Sequence, residues 1–289
     1  MTSKAYKNPG QTALFFFIAL FLLSFLIIPV VKVFYVAFID VNTGNLTFIN
    51  FVDFFNTSLF MESFYNSFYV AAMSVLLATL ISLPLAYFTT RFEFKGSIII
   101  QSLGFVPLIM PPFVGAVAMQ LLFGSNGSIN LLMDEYFGFT IPFMEGLNGV
   151  IFVQSLHYFP FILINLSASL NNIDRSMEES AQNLGSSGMR LFRRIVFPLA
   201  MPGYVAGASL VFIKVFDDLG TPLLLNVNNM LAPQAYLRIS SIGIDDPMGY
   251  VIAVILVIFS LFAMWIASLA LKGKDYSTVQ KGGGGLAKR

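Results

Sequence analysis

Six stretches of this chain, at about 12–38, 65–90, 98–123, 149–170, 197–216 and 249–271, each run for roughly twenty residues or more with at most one charged side chain. Hydrocarbon accepts such a segment only if its backbone N–H and C=O groups are bonded internally, and the α-helix achieves this within one segment. The predicted fold class is therefore an all-α membrane protein with six transmembrane helices. A soluble globule is excluded on the same ground: 11% of the residues are charged and 57% are hydrophobic, whereas soluble domains carry roughly 25% charged residues. The first run follows only Lys4 and Lys7, outlasts a signal-peptide core and has no small-residue cleavage site behind it. It is expected to be retained, with the mature chain starting near Met1.

Charge placement orients the helices, because Lys and Arg resist translocation and collect in cytoplasmic loops. With the N-terminus inside, segments 1–11, 91–97, 171–196 and 272–289 face the cytoplasm and hold 13 of the 16 basic residues, among them Arg91, Lys95, Arg190, Arg193 and Arg194. Only Arg238 falls in an outer loop, while Lys32 and Lys214 lie within apolar runs. Both termini are thus expected in the cytoplasm, and residues 1–289 to form a single transmembrane domain. The longest inner loop is too short for a nucleotide-binding domain, and no G-x-x-x-x-G-K-[ST] loop occurs.

Several functions fall away on composition. A formal charge of +1 offers no basic excess for nucleic acid. The absence of Cys removes disulfides, thiolate metal sites and thiol nucleophiles, and the single His157 leaves little for zinc or haem. No catalytic set and no metal-ligating set is expected.

The inner loop 171–198 is the most patterned part of the chain. Ser176 followed by Glu179 fits a capping box at the start of a helix. Gly185 supplies a left-handed position where that helix can end, about two turns later. Ser186 and Ser187 then precede a second amphipathic piece bearing Arg190, Arg193 and Arg194, before Pro198 opens the next membrane helix.

The succession Glu179-Ser180-Ala181, three residues, Gly185, nine residues, Ile195-Val196-Phe197-Pro198 resembles the E-A-A, three residues, G, nine residues, I-x-L-P signature of permease subunits of bacterial ABC importers. It departs at Ser180 and Phe197, each of which keeps a small or an apolar side chain. Looser likenesses, Pro107-Leu-Ile-Met-Pro111-Pro112 and Asp217-Asp218-Leu-Gly-Thr-Pro222, are similar to permeases for ferric iron, polyamines, thiamine and aminoethylphosphonate. The resemblance implies a type I importer permease in the bacterial inner membrane, with a cytoplasmic coupling helix seated on an ATPase subunit. Glu178, Glu179, Ser180, Ala181, Leu184, Gly185, Ile195 and Pro198 would form that coupling element. It further implies two ATPase subunits carrying ATP and Mg, a second permease subunit that is a copy or a paralogue, and an extracytoplasmic binding protein. This chain would bind no cofactor and carry out no hydrolysis itself.

Other groups have two readings each. Pro107, Pro111 and Pro112 remove helical hydrogen bonds, so the third helix is expected to be kinked or broken, as a gate or as plain architecture. Lys214, Asp217 and Asp218 share one helical face if the fifth helix continues. They then form either a local ion pair near the outer interface or part of the translocation route. Asp40, Asp53, Glu62, Asp134, Glu135, Glu145, Asp245 and Asp246 make the outer loops acidic, which mildly favours a cationic substrate. Gly203-x-x-x-Gly207 places small residues where two helices can approach closely. An ion-gradient-driven secondary transporter is the competing class; it requires inverted repeats and carboxylates near the midplane, and neither is evident here.

Overall fold

Burial in an apolar medium drives this chain into helices, and their ends are closed by side chains wherever the sequence supplies them. The computed structural model describes residues 9–41, 43–141, 143–243 and 246–271. The expectations for Lys4, Lys7, Asp245 and the basic tail from Lys272 to Arg289 lie outside the described residues. Among the described residues there is no strand beyond an isolated bridge between Ile39 and Leu46.

The first span combines α1 (Pro9–Leu22), a π turn (Leu23–Ile27) and α2 (Ile28–Ala37). The π turn falls just before Pro29, which has no N–H to continue the regular ladder. None of the apolar stretch of this span is buried within the chain, so its surface is left to face lipid. The short α3 (Ile49–Asn56) closes the span's end: Asn50 Nδ2 donates to the carbonyls of Ala37 at 3.0 Å and Ile39 at 2.8 Å, satisfying groups that a helix end orphans.

The next helix, α4 (Ser58–Arg91), has 34 residues and is about 50 Å long. Ser63, Ser67, Ala71, Ser74, Ala78, Ser82, Ala86 and Thr90 recur along it every three or four residues, and all are buried. Such a small-residue stripe lets two helix backbones come within reach of each other's hydroxyls. The third span is two pieces, α5 (Ser97–Ile109) and α6 (Pro112–Phe123), followed by α7 (Ser128–Phe137). Met110, preceding Pro111, is extended at φ −84° and ψ 136°. The chain bends by 106° there, so the expected break in the third helix is present.

At the centre stands α8 (Gly146–Asn171), with two thirds of its apolar stretch buried. Across its contact with α4, Ser82 Oγ of α4 donates to the Phe159 carbonyl at 2.8 Å and Ser155 Oγ of α8 donates to the Ser74 carbonyl at 3.4 Å. The short α9 (Arg175–Asn183) follows, then α10 (Gly188–Leu191), a π turn (Phe192–Val196) and α11 (Phe197–Phe216). These last three form one continuous helix, Gly188–Phe216. The expected boundary at 197 is therefore corrected: Pro198 does not open the fifth helix, because the π turn before it absorbs the ring and the missing donor. The chain ends in α12 (Gly220–Leu224), α13 (Leu231–Ser241) and α14 (Pro247–Leu271). Among the described residues five helices are long and apolar enough to cross a membrane, and the bent pair, counted as one span, makes six.

A tight seam lies between α8 and α11. A β-carbon on Gly203 would overlap the Asn165 carbonyl, and one on Gly207 would come within 2.7 Å of Ile162 Cα. The Gly203-x-x-x-Gly207 spacing thus serves a close helix crossing.

Candidate coupling helix and cavity

The loop between α8 and α11 builds a helix closed at both ends. Asp174 is the N-cap, its Oδ1 accepting from the Ser176 amide at 2.9 Å. The expected Ser176–Glu179 capping box is not formed: an acceptor two residues earlier takes the first free amide and moves the helix start upstream. At the far end Gly185 adopts φ +84°. Its amide donates to the Gln182 carbonyl and that of Ser186 to the Ala181 carbonyl, both at 2.9 Å. These are the two bonds of a Schellman ending.

Closed in this way, α9 has two distinct faces. Ala181 is half-buried against the core, and Glu178 turns inward to an ion pair with Arg91, the last residue of α4. Glu179, Ser180 and Leu184 are exposed, Leu184 by 90%, and Glu179 stands at the edge of a cleft it lines with Arg91 and Glu178. The neighbouring glutamates, indistinguishable by composition, are therefore separated by helical phase. Ile195 lies in the π turn, half-buried and packed on the core.

A cavity of about 400 Å³ opens where α11 ends, lined by Pro112, Phe113, Tyr158, Ile213, Lys214, Asp217, Asp218, Leu219 and Gly220. Here the structure corrects two expectations. First, α11 stops at Phe216 and the chain turns at Asp217, so Lys214, Asp217 and Asp218 do not stack along one helical face. Neither acid forms an ion pair with Lys214. Instead, Asp217 accepts from Ser260 Oγ at 3.1 and 3.2 Å. Asp218 accepts from Gln154 Nε2 at 2.9 Å and from the Gly220 amide at 3.0 Å.

Second, the cluster is level with the middle of α14 rather than with a helix end: Ser260 lies at the midpoint of the 25-residue α14, and Gln154 is about 12 Å along α8. The cavity opens there beside the broken third helix, with Lys214 and Asp217 exposed. Pro112 joins the acids there, Pro111 forms the break, and Pro107 lies inside α5 away from the lining. Tyr158, Gln154, Ser260 and Arg91 were not among the expected site residues. A pairing signal existed only for Arg91, as a basic residue ending a long apolar run.

At the end of the bundle opposite α9, the acids are partly engaged. Arg238 pairs with Asp246 at 3.7 Å and lies over the Phe60 ring, 4.9 Å from its centre. Glu62 accepts from Asn229.

Residues 78–273 match the family described as binding-protein-dependent transport system inner membrane component. The chain belongs to that family. The matched region runs from the middle of α4 past the end of α14, so the coupling helix, the π turn and the cavity all lie within the family's common core. Among relatives, this family member is 28% identical over 216 residues to the ferric transport system permease protein FbpB of Actinobacillus pleuropneumoniae, matching 74% of this chain and 31% of that protein. It is 30% identical over 193 residues to the probable molybdenum ABC transporter permease protein HVO_B0370 of Haloferax volcanii, matching 66% of this chain and 68% of the relative. The chain thus spans about a third of the ferric permease's length. Among solved structures, a bacterial ABC transporter that imports the acidic polysaccharide alginate superposes with a TM-score of 0.71 at 18% identity, covering 90% of this chain and 96% of that one.

Proposed function

We propose that this chain is the transmembrane permease subunit of an ATP-driven ABC importer. It supplies half of the translocation route and couples it to a separate ATPase. One observation carries this reading: a short helix capped at both ends, presenting Glu179, Ser180 and Leu184 outward, within a chain of the permease family. A capped helix on a two-ended loop transmits a displacement without unfolding, and that is the mechanical requirement of a coupling element.

In this reading two ATPase subunits bind ATP and Mg and perform the hydrolysis, while the chain itself does no covalent chemistry. A second permease, a copy or a paralogue, completes the route, and an extracytoplasmic binding protein delivers a small solute such as ferric iron, a polyamine or an aminophosphonate. The chain resides in the bacterial inner membrane with both termini in the cytoplasm, which the basic character of Arg91, Lys95, Arg190, Arg193 and Arg194 supports. Substrate passes the cavity beside Lys214, Asp217 and Asp218, and the break at Pro111 and Pro112 acts as the hinge next to it.

The test is copurification of ATPase activity with the tagged chain from native membranes. Wild type is expected to bring an ATPase with it. Gly185→Val and Glu179→Lys are expected to lose it while insertion and expression stay unchanged. A branched residue at φ +84° is strained by about 1–2 kcal/mol, enough to unseat the helix ending. Wild-type chain that never carries an ATPase overturns the reading.

A further inference from the structure

A largely buried ion pair joins the last turn of α4 to the first turn of α9. Arg91 Nη2 meets Glu178 Oε1, and the two side chains retain 11% and 15% exposure. Each charge also sits at the helix end that favours it, the guanidinium among the final carbonyls of α4 and the carboxylate among the first amides of α9. Tyr87, one turn before Arg91, packs edge-on against Phe192 of the π turn with ring centres 5.0 Å apart. The end of α4 is thus held from two sides. Withdrawing both charges from water is costly, and losing one partner leaves the other stranded.

The opposite end of α4 is tied as well. Asn229 Nδ2 donates to Glu62 Oε1 at 2.8 Å, Asn66 Nδ2 donates to the Asn229 carbonyl at 2.9 Å, and the Leu231 amide donates to Ser67 Oγ at 2.8 Å. These bonds fix the segment between α12 and α13, which is joined to the cavity's Asp217–Gly220 turn through the short α12. Between the two ties α4 is a single helix, unbroken at Pro84, with its small-residue stripe resting on α8.

Resting on the importer reading above, we propose that Arg91 is a positioning residue that locks α4 to the coupling helix through Glu178. A displacement of α9 is then delivered along α4 to the segment that α12 joins to the cavity's turn. The adjacent glutamates divide the work: Glu179 faces outward to the ATPase, and Glu178 faces inward to hold the strut. A rigid element pinned at both ends passes on a rigid-body movement, and the pair supplies the pin at the driven end.

The absence of Cys in the chain provides a reporter that needs no knowledge of the substrate. Asn228→Cys, in the tied segment, is labelled with N-ethylmaleimide in the assembled complex, with and without Mg-ATP plus vanadate. The labelling rate is expected to change on nucleotide binding. In Arg91→Gln and Glu178→Gln backgrounds the ATPase stays bound, but the nucleotide-driven change shrinks by about tenfold, equivalent to about 1.4 kcal/mol of coupling. The swap R91E/E178R restores it. Unchanged labelling in the single variants, no nucleotide response in wild type, or a swap that fails to restore it overturns the proposal. So does loss of the ATPase from Glu178→Gln alone, which would place Glu178 on the docking face. If neither Gln variant assembles, the swapped chain decides by the presence or absence of the response. Wild type without any ATPase, seen before a substitution is made, overturns the importer reading and this proposal with it.

Discussion

Two glycines set the close contact between α8 and α11, and their effect is steric. At Gly203 and Gly207 the obstacle to a side chain is the backbone of α8 itself, around Phe161, Ile162 and Asn165, so no rotamer change relieves it. Gly203→Ala and Gly207→Ala are each expected to cost about 1–3 kcal/mol through overpacking. The check is a lowered thermal unfolding midpoint of the detergent-solubilised chain, with Gly10→Ala as a control at a helical position open to space. The close approach was legible from residue type and spacing alone. Partners of the buried polar groups were not: Gln154 with Asp218, Ser260 with Asp217 and Arg91 with Glu178 join residues 64, 43 and 87 positions apart, so nothing local announces them.

At the scale of elements, the third span shows how proline chemistry becomes architecture. Pro111 and Pro112 cannot donate to the preceding turn, and Met110 is driven extended, so α5 and α6 diverge by 106° beside the cavity. Replacing both by Ala restores two donors and removes about 3 kcal/mol of penalty per proline against a continuous helix. On the importer reading proposed above, in which the break is a hinge beside the cavity, that variant is expected to insert and keep an ATPase bound but to lose transport by about tenfold. Uptake into proteoliposomes measures this, and normal uptake would reduce the break to plain architecture. The break was predictable from three prolines in one run. The uninterrupted passage from Gly188 to Phe216 was not, because a π turn accommodates Pro198 where a start signal was expected. The small-residue stripe of α4 was written in the sequence at intervals of three and four, but it is easily overlooked in a helix this apolar.

For the whole molecule, the charge pattern makes a prediction about sidedness. In the Cys-free chain, Lys95→Cys is expected to react with a membrane-impermeant maleimide only in inverted vesicles, and Asn126→Cys only in intact cells. Reversal of these results would invert the topology, and with it the assignment of α9 to the ATPase side. The all-α class, the number of apolar runs, the distribution of basic residues and the glycine end of α9 follow from the sequence by itself. Each depends on hydropathy, on charge or on turn chemistry within a few residues. Only the tertiary structure decided that the Asp217–Asp218 turn lies level with the middle of α14 beside the broken third helix, that Glu178 pairs with Arg91 while Glu179, about 100° further round α9, stays exposed, and that α4 is tied at both ends. Those facts depend on which helices meet and at what depth. In an apolar chain, nearly every helix surface is equally ready for burial, so the sparse polar groups and the small residues select the partners, and their selection appears only when the helices are packed.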